Sequence, residues 1–222
     1  MYKVAQCWDD GVLNDVKVVE ICRRHGAKAT FNLNPGVNQE ITSSGWKFHD
    51  FDVKRLGKRE FKSVYEGFEL ASHTMTHPWP SKIEVEAFRS EAVDARNYIE
   101  DLMQREQRGF AWPFGDAPDA CADVLREEGF AYGRTTKNTP DILANADLMK
   151  LPTHCHFANP DFDAIWKAAK QTGVFYFWGH SYEMKDDPVL WKRYEELIQH
   201  ISADPEAQWV NVVDLVERKA LS

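Results

Sequence analysis

Short apolar runs alternate with longer segments of helical periodicity along almost the whole chain, and that alternation leaves few folds open. Strand-like runs fall at residues 2–8, 29–33, 68–72, 109–112, 131–133, 149–151, 174–178 and 208–210. Helical patterns lie at 12–24, 84–105, 117–128, 161–171, 188–201 and 211–221. The first helix carries Val12, Val16, Val19 and Cys22 on one side. In the second, Val85, Phe88, Ala92, Ala95, Ile99 and Leu102 recur at spacings of three and four, with Ser81 as a plausible cap. Repeated strand–helix units require a parallel sheet, because each helix carries the chain back to the edge where the next strand starts. This many units predicts an α/β fold closed, or nearly closed, into a barrel. Residues 34–66 break the rhythm. They are expected to form loops and a short helix bordering the site, with Trp46 and His49 facing substrate.

No linker or repeat interrupts the pattern, so the chain reads as a single domain over residues 1–222. With 43% hydrophobic residues it can bury one sizeable core. The net charge of −8 argues against a nucleic-acid or membrane-surface partner, both of which favour basic patches. No apolar run approaches the ~20 residues that span a bilayer. The first expected strand starts at Tyr2, which leaves no room for a signal peptide, so a cytoplasmic protein is expected. Cys7, Cys22, Cys121 and Cys155 lack metal-type spacing and read as reduced thiols. The sequence sets no oligomeric state.

Chemistry-bearing residues gather where the apolar runs end. The first run closes on Cys7-Trp8-Asp9-Asp10-Gly11, the third on Ser72-His73-Thr74-Met75-Thr76-His77-Pro78. Asp-Asp-Gly alone also reads as a turn, and the two histidines alone as loop residues. Together, one carboxylate and two imidazoles make a three-point metal site with open positions, and the second carboxylate is the base that metal-assisted hydrolysis needs. The C-terminal ends of parallel strands are where such sites are built.

At these residues the chain resembles the polysaccharide deacetylases, the family 4 carbohydrate esterases. Their Thr-Phe-Asp-Asp-Gly motif corresponds to Cys7-Trp8-Asp9-Asp10-Gly11, and their His-Ser/Thr-x-x-His motif to His73-Thr74-Met75-Thr76-His77. Ala29-Thr30-Phe31 resembles the family's second strand, and the run ending in Trp178-Gly179-His180 resembles its late histidine motif. The Arg-x-Pro-Tyr motif is represented by Ala111-Trp112-Pro113-Phe114, so the arginine that holds the family's catalytic Asp is missing. Arg108 is the nearby substitute, and no fourth motif is recognisable.

The resemblance implies an irregular (β/α)7 barrel and a hydrolase that removes N- or O-acetyl groups from an acetylated oligosaccharide or polysaccharide. Asp10, His73 and His77 would hold one divalent ion, zinc by expectation, with cobalt or nickel as alternatives. Asp9 would act as base, His180 as acid, and the Phe114 backbone N–H as an oxyanion donor. Trp8, Trp112, Trp178, His154 and His156 are expected to line the substrate site. Two other readings stay open: a metal-independent amidohydrolase on a cyclic amide or ureide, and an inactive sugar-binding protein.

Overall fold

A computed structural model describes residues 1–144 and 147–217. The elements run β1 (Tyr2–Asp9), α1 (Asp15–His25), β2 (Thr30–Leu33), β3 (Ser43–Phe48), β4 (Phe51–Arg55), α2 (Lys58–Tyr65), β5 (Glu69–Ser72), α3 (Val85–Met103), β6 (Gly109–Ala111) and α4 (Asp119–Glu127). They continue with β7 (Tyr132–Asn138), β8 (Leu151–Thr153), β9 (Cys155–His156), α5 (Phe162–Ala169), β10 (Val174–Gly179), α6 (Pro188–Ser202), β11 (Ala207–Trp209) and α7 (Val213–Val216). One sheet takes the order β8-β7-β6-β5-β2-β1-β10-β9, all neighbours parallel, with β11 added beside β1. Its two ends, β8 and β9, are successive stretches of chain joined through His154, so the sheet curls into a nearly closed barrel of the expected (β/α)7 kind.

Strand parity sorts the core. Successive residues of a strand point to opposite faces, and β1 is buried on both. Ala5 and Cys7 join Tyr132, Leu151 and Tyr176 in one cluster, completed by Val210, Val212 and Leu215 from the C-terminal segment. Val4 and Trp8 belong to a second cluster, with residues of α1, α2, α5 and α6. A third packs α3 and α4 against Phe110 and Trp112.

Several boundaries differ from the sequence reading. Residues 34–66 hold an antiparallel hairpin, β3–β4, and helix α2. Its exposed face is polar and short, which hid the hairpin's alternation. Ser81 sits in a 3-10 turn, and α3 starts at Val85 with no side-chain cap at Glu84. The run expected at 149–151 becomes a 3-10 turn followed by β8. Of the helix expected at 211–221, Val213–Val216 is helical, and residues 218–221 lie outside the described residues. No helix among the described residues is long and apolar enough to cross a membrane.

Candidate active site

β1 and β5 end side by side around β2, and the loops after them bring Asp10, His73 and His77 together. One ligand atom from each lies within 4.8 Å of the other two. His73 Nε2 is 3.9 Å and His77 Nε2 3.7 Å from Asp10 Oδ1. His73 Nδ1 donates to the Ala111 carbonyl at 2.7 Å, which leaves Nε2 with a lone pair facing the cluster. Burial pulls the His73 pKa down to about 4, outweighing the nearby carboxylates, and it lowers His77 as well. Neutral imidazoles and a carboxylate are the donor set a zinc-like ion takes. The residues present therefore fit a divalent ion.

The loops that carry these ligands are held hard. Asp10, Thr74, His77 and Phe114 account for four of the seven non-glycine residues with left-handed φ among the described residues. Such backbone costs of order 1–2 kcal/mol each and persists only where surroundings enforce it. Here the Asn34 side chain donates to the carbonyls of His73 and Thr74, and Asn38 to those of Gly11 and Leu56. Thr76 is tied to Glu91 on α3 through both its N–H and its hydroxyl.

Asp9 stays out of the cluster because its neighbours claim it. Both carboxylate oxygens accept from Arg134 Nη2 at 2.6 Å, and Oδ1 also accepts from Asn32 Nδ2 at 2.6 Å. Burial pushes the carboxyl up, but Arg134, His73, His180 and Asn32 together hold it well below the usual carboxylate range. Arg134 is the cation that the sequence reading found missing. It lies on β7 directly across the ladder from Ala111, and residues paired in parallel register share a face. A guanidinium rooted at 134 therefore reaches the place of one rooted at 111, and the small Ala111 leaves it room. Arg108 does not serve: it pairs with Glu217 at the surface.

His180 follows β10 with Nε2 3.8 Å from Asp9 Oδ2. Its Nδ1 meets Glu183 Oε1 at 3.2 Å, and Glu183 Oε2 accepts from His156 Nε2 at 2.8 Å. The Ala158 N–H donates to His156 Nδ1 at 3.2 Å, so His156 carries its proton on Nε2 and gives it to Glu183. Burial opposes the charged form of His180, yet Glu183, Asp10 and Asp9 raise its pKa to about 9. Burial likewise works against ionised Glu183, but the bonds from His156 and His180 bring it down to about 2. Gly179 allows the approach, since a Cβ there would stand 2.2 Å from the Phe157 ring.

The remaining expected residues divide by depth. Trp178 is half-buried against the rings of His156 and His180, with the Arg134 guanidinium 5.0 Å from its ring centroid. Phe114 is exposed, stacked on Trp79 at 4.0 Å and packed on His77 at 4.5 Å. Trp8 and Trp112 are corrections. Trp8 is fully buried between Phe157 and Tyr194, its Nε1 donating to Gln6. Trp112 is stacked on Phe88, with its Nε1 donating to the Met149 carbonyl. Each neighbours a lumen-facing residue in the chain and so points the other way. His154 is a third correction: it is buried, and its Nδ1 accepts from the Tyr176 N–H. His49 is exposed on the hairpin turn against Phe48, whereas Trp46 packs on Tyr182. Cys155 is buried. Arg134, Asn32 and Glu183 were missed. The one available signal was a charged residue directly following Tyr132-Gly133 in an apolar run.

The sequence model of the polysaccharide deacetylase family matches residues 2–133, more than half of the chain, and the chain belongs to that family. Its fold matches a family 4 carbohydrate esterase from Streptomyces lividans, solved with acetate, over 93% of this chain and 90% of that one (16% identity, TM-score 0.60). A family 4 acetyl xylan esterase from Clostridium thermocellum, solved with a cobalt ion, matches over 98% and 92% (13% identity, TM-score 0.63). The match to the Streptococcus pyogenes deacetylase PplD, solved with acetate, spans 60% of this chain and 55% of that one (19% identity, TM-score 0.50). At these identities the likeness is one of fold. Among curated protein sequences none matches the chain.

Proposed function

We propose that this chain is a metal-dependent hydrolase that removes an acetyl group from an acetylated saccharide. The observation that carries the reading is the division between two adjacent carboxylates. Asp10 faces two neutral imidazoles, while Asp9, one residue earlier, is locked on a buried arginine. Asp10, His73 and His77 would hold the ion, which when bound supplies a Lewis acid for the acetyl carbonyl and a water of lowered pKa.

The chain's own residues do the rest. Asp9, ionised and fixed by Arg134 and Asn32, takes a proton from the water that attacks the acetyl carbon. The Phe114 backbone N–H is the donor that the family pattern assigns to the developing oxyanion. His180, oriented by Glu183 and protonated at neutral pH, gives its Nε2 proton to the departing amine or hydroxyl as the C–N or C–O bond breaks. The products are acetate and the deacetylated sugar.

The test is an acetate-release screen over N- and O-acetylated oligosaccharides, using chelated protein and protein re-loaded with zinc, cobalt or nickel. Release that depends on added metal is expected. Metal-loaded protein that frees acetate from no member of the panel overturns the reading, and ring opening of a ureide by chelated protein would replace it.

A further inference from the structure

Arg55 ends the hairpin that roofs one side of the site, and its guanidinium turns back toward the catalytic residues. Nη1 donates to the Asp10 carbonyl at 3.2 Å, and the group lies 4.8 Å from the Trp46 ring centroid. Trp46 meets Tyr182 edge-on at 5.0 Å, and Tyr182 lies 5.0 Å from the His180 ring. The guanidinium thus bonds the backbone of a cluster residue and is linked to the acid through the Trp46 and Tyr182 rings. It is half-buried. Arg134, the other arginine of the site, is neutralised by Asp9. Among the described residues no carboxylate forms an ion pair with Arg55; its side chain has a single carbonyl bond.

A second cation, the exposed Lys82, also rests on an aromatic ring. Lys82 lies 4.6 Å from the Trp79 ring centroid, and Trp79 stacks on Phe114, which touches His77. The Asp10 carboxylate attracts the Arg55 guanidinium without pairing with it directly, and dehydrating an arginine that lacks a direct ion pair is unfavourable unless something else repays it. A planar fork resting on an aromatic face, with donors left over, matches an oxyanion with two acceptor oxygens.

We propose that Arg55 recognises an anionic group on the substrate, a carboxylate or a phosphate, so that the preferred substrate is an acetylated saccharide charged close to the acetyl group. This rests on the deacetylase reading above. The chain's net charge of −8 opposes a long polyanion, which restricts the anion to a local feature of a short saccharide.

The experiment compares methyl glycosides of N-acetylglucosamine, neutral or bearing a 6-carboxylate, a 6-phosphate or a 3-O-carboxyethyl group, in acetate release by the metal-loaded protein. One or more charged sugars should exceed the neutral one in kcat/KM by about ten- to a hundredfold, the scale of a charged hydrogen bond. The preference should shrink as salt is raised. Arg55→Gln should collapse the charged-to-neutral ratio to near unity, and Arg55→Lys should keep part of it. The ratio is taken within one protein sample, so partial misfolding of a variant does not move it. Which charged sugar wins distinguishes carboxylate from phosphate. Equal rates on charged and neutral sugars, or an Arg55→Gln variant that loses both alike, overturn the role of Arg55 and leave the deacetylase reading standing. Acetate from none of the four sugars, in a protein that releases it from other acetylated saccharides, also overturns it. Release from no acetylated substrate at all removes the underlying activity.

Discussion

Replacing Arg134 with methionine keeps most of its volume and removes its charge, which isolates the Asp9–Arg134 pair. The two side chains are 3% and 1% exposed, with both carboxylate oxygens 2.6 Å from Nη2. At that separation, with an effective dielectric of about 20, the attraction is about 6 kcal/mol before desolvation. Removing one partner of such a buried pair costs about 3–5 kcal/mol, because the remaining charge is left in a poor solvent. Asn32 and His180 still face Asp9 and soften the loss, so about 3 kcal/mol is expected, a large share of the about 5–15 kcal/mol that holds a domain together. Urea unfolding at neutral pH measures it. Asp9 is depressed in the fold, so its contribution is complete above the unfolded carboxylate value of about 3.9 and is lost as pH falls below that. The gap between wild type and variant should therefore narrow toward pH 3. The ladder supplies the decisive control. Ala111→Arg alone crowds two guanidinium groups into one buried place and should destabilise, whereas Ala111→Arg with Arg134→Ala should recover much of the stability and turnover. A loss under about 1 kcal/mol in Arg134→Met, or a double variant no better than Arg134→Ala, would refute the exchange.

Three further outcomes follow from the same geometry. Asp9→Asn should retain metal by elemental analysis yet lose turnover by roughly a hundredfold or more, the scale of a lost general base, whereas His77→Ala should lose metal and activity together. Glu183→Gln withdraws a charge that raises His180, so the basic limb of the pH–rate profile should move to lower pH; an unmoved limb separates Glu183 from the acid. Glu69, buried at the N-terminal end of β5, accepts from Thr30, Val212 and Val213 and has its pKa raised to about 7, chiefly by burial. A folded value above the unfolded one, about 4.3, means stability falls as pH rises from about 4 to about 7 and levels off beyond. Glu69→Gln should flatten that slope and be more stable than wild type above pH 7, by on the order of 1–3 kcal/mol, measured by urea unfolding at pH 5 and pH 8.

What the sequence revealed and what it hid divide along one line. Properties written along the chain were legible: the strand–helix rhythm, the carboxylate pair closing β1 and the histidines after β5 all depend on neighbours in sequence. Properties written across the ladder were not. Arg134 sits 23 positions from Ala111 in the chain and beside it in the sheet, so a motif read along one strand reports a missing cation where none is missing. The tryptophans went wrong for a simpler reason. Proximity in sequence was equated with proximity to the site, although Trp8 alternates with Asp9 within β1 and so faces away from it, and Trp112 is turned onto Phe88. Trp178, two steps from His180, does face the site. The Glu183 bond was hidden because a carboxylate four residues past a strand end looks like any turn residue until the 3-10 turn closes beneath His180.

The pairing of β1 bears on when the site comes into being. One edge of β1 joins β10 from Lys3 to Trp8; the other joins β11 at Tyr2–Val4 and β2 from Cys7 to Asp9. The strand that carries Asp9 and leads into Asp10 thus leaves a ribosome well before its backbone partners at 174–179 and 207–209. Non-local pairing of this kind is slow, and an apolar strand waiting for partners is open to wrong ones. Full pairing of β1 accordingly waits until residues 174–209 have been made. A nascent polypeptide halted before residue 174 would hold Asp10, His73 and His77 in sequence but lack the β10 and β11 partners that hold β1 in the sheet.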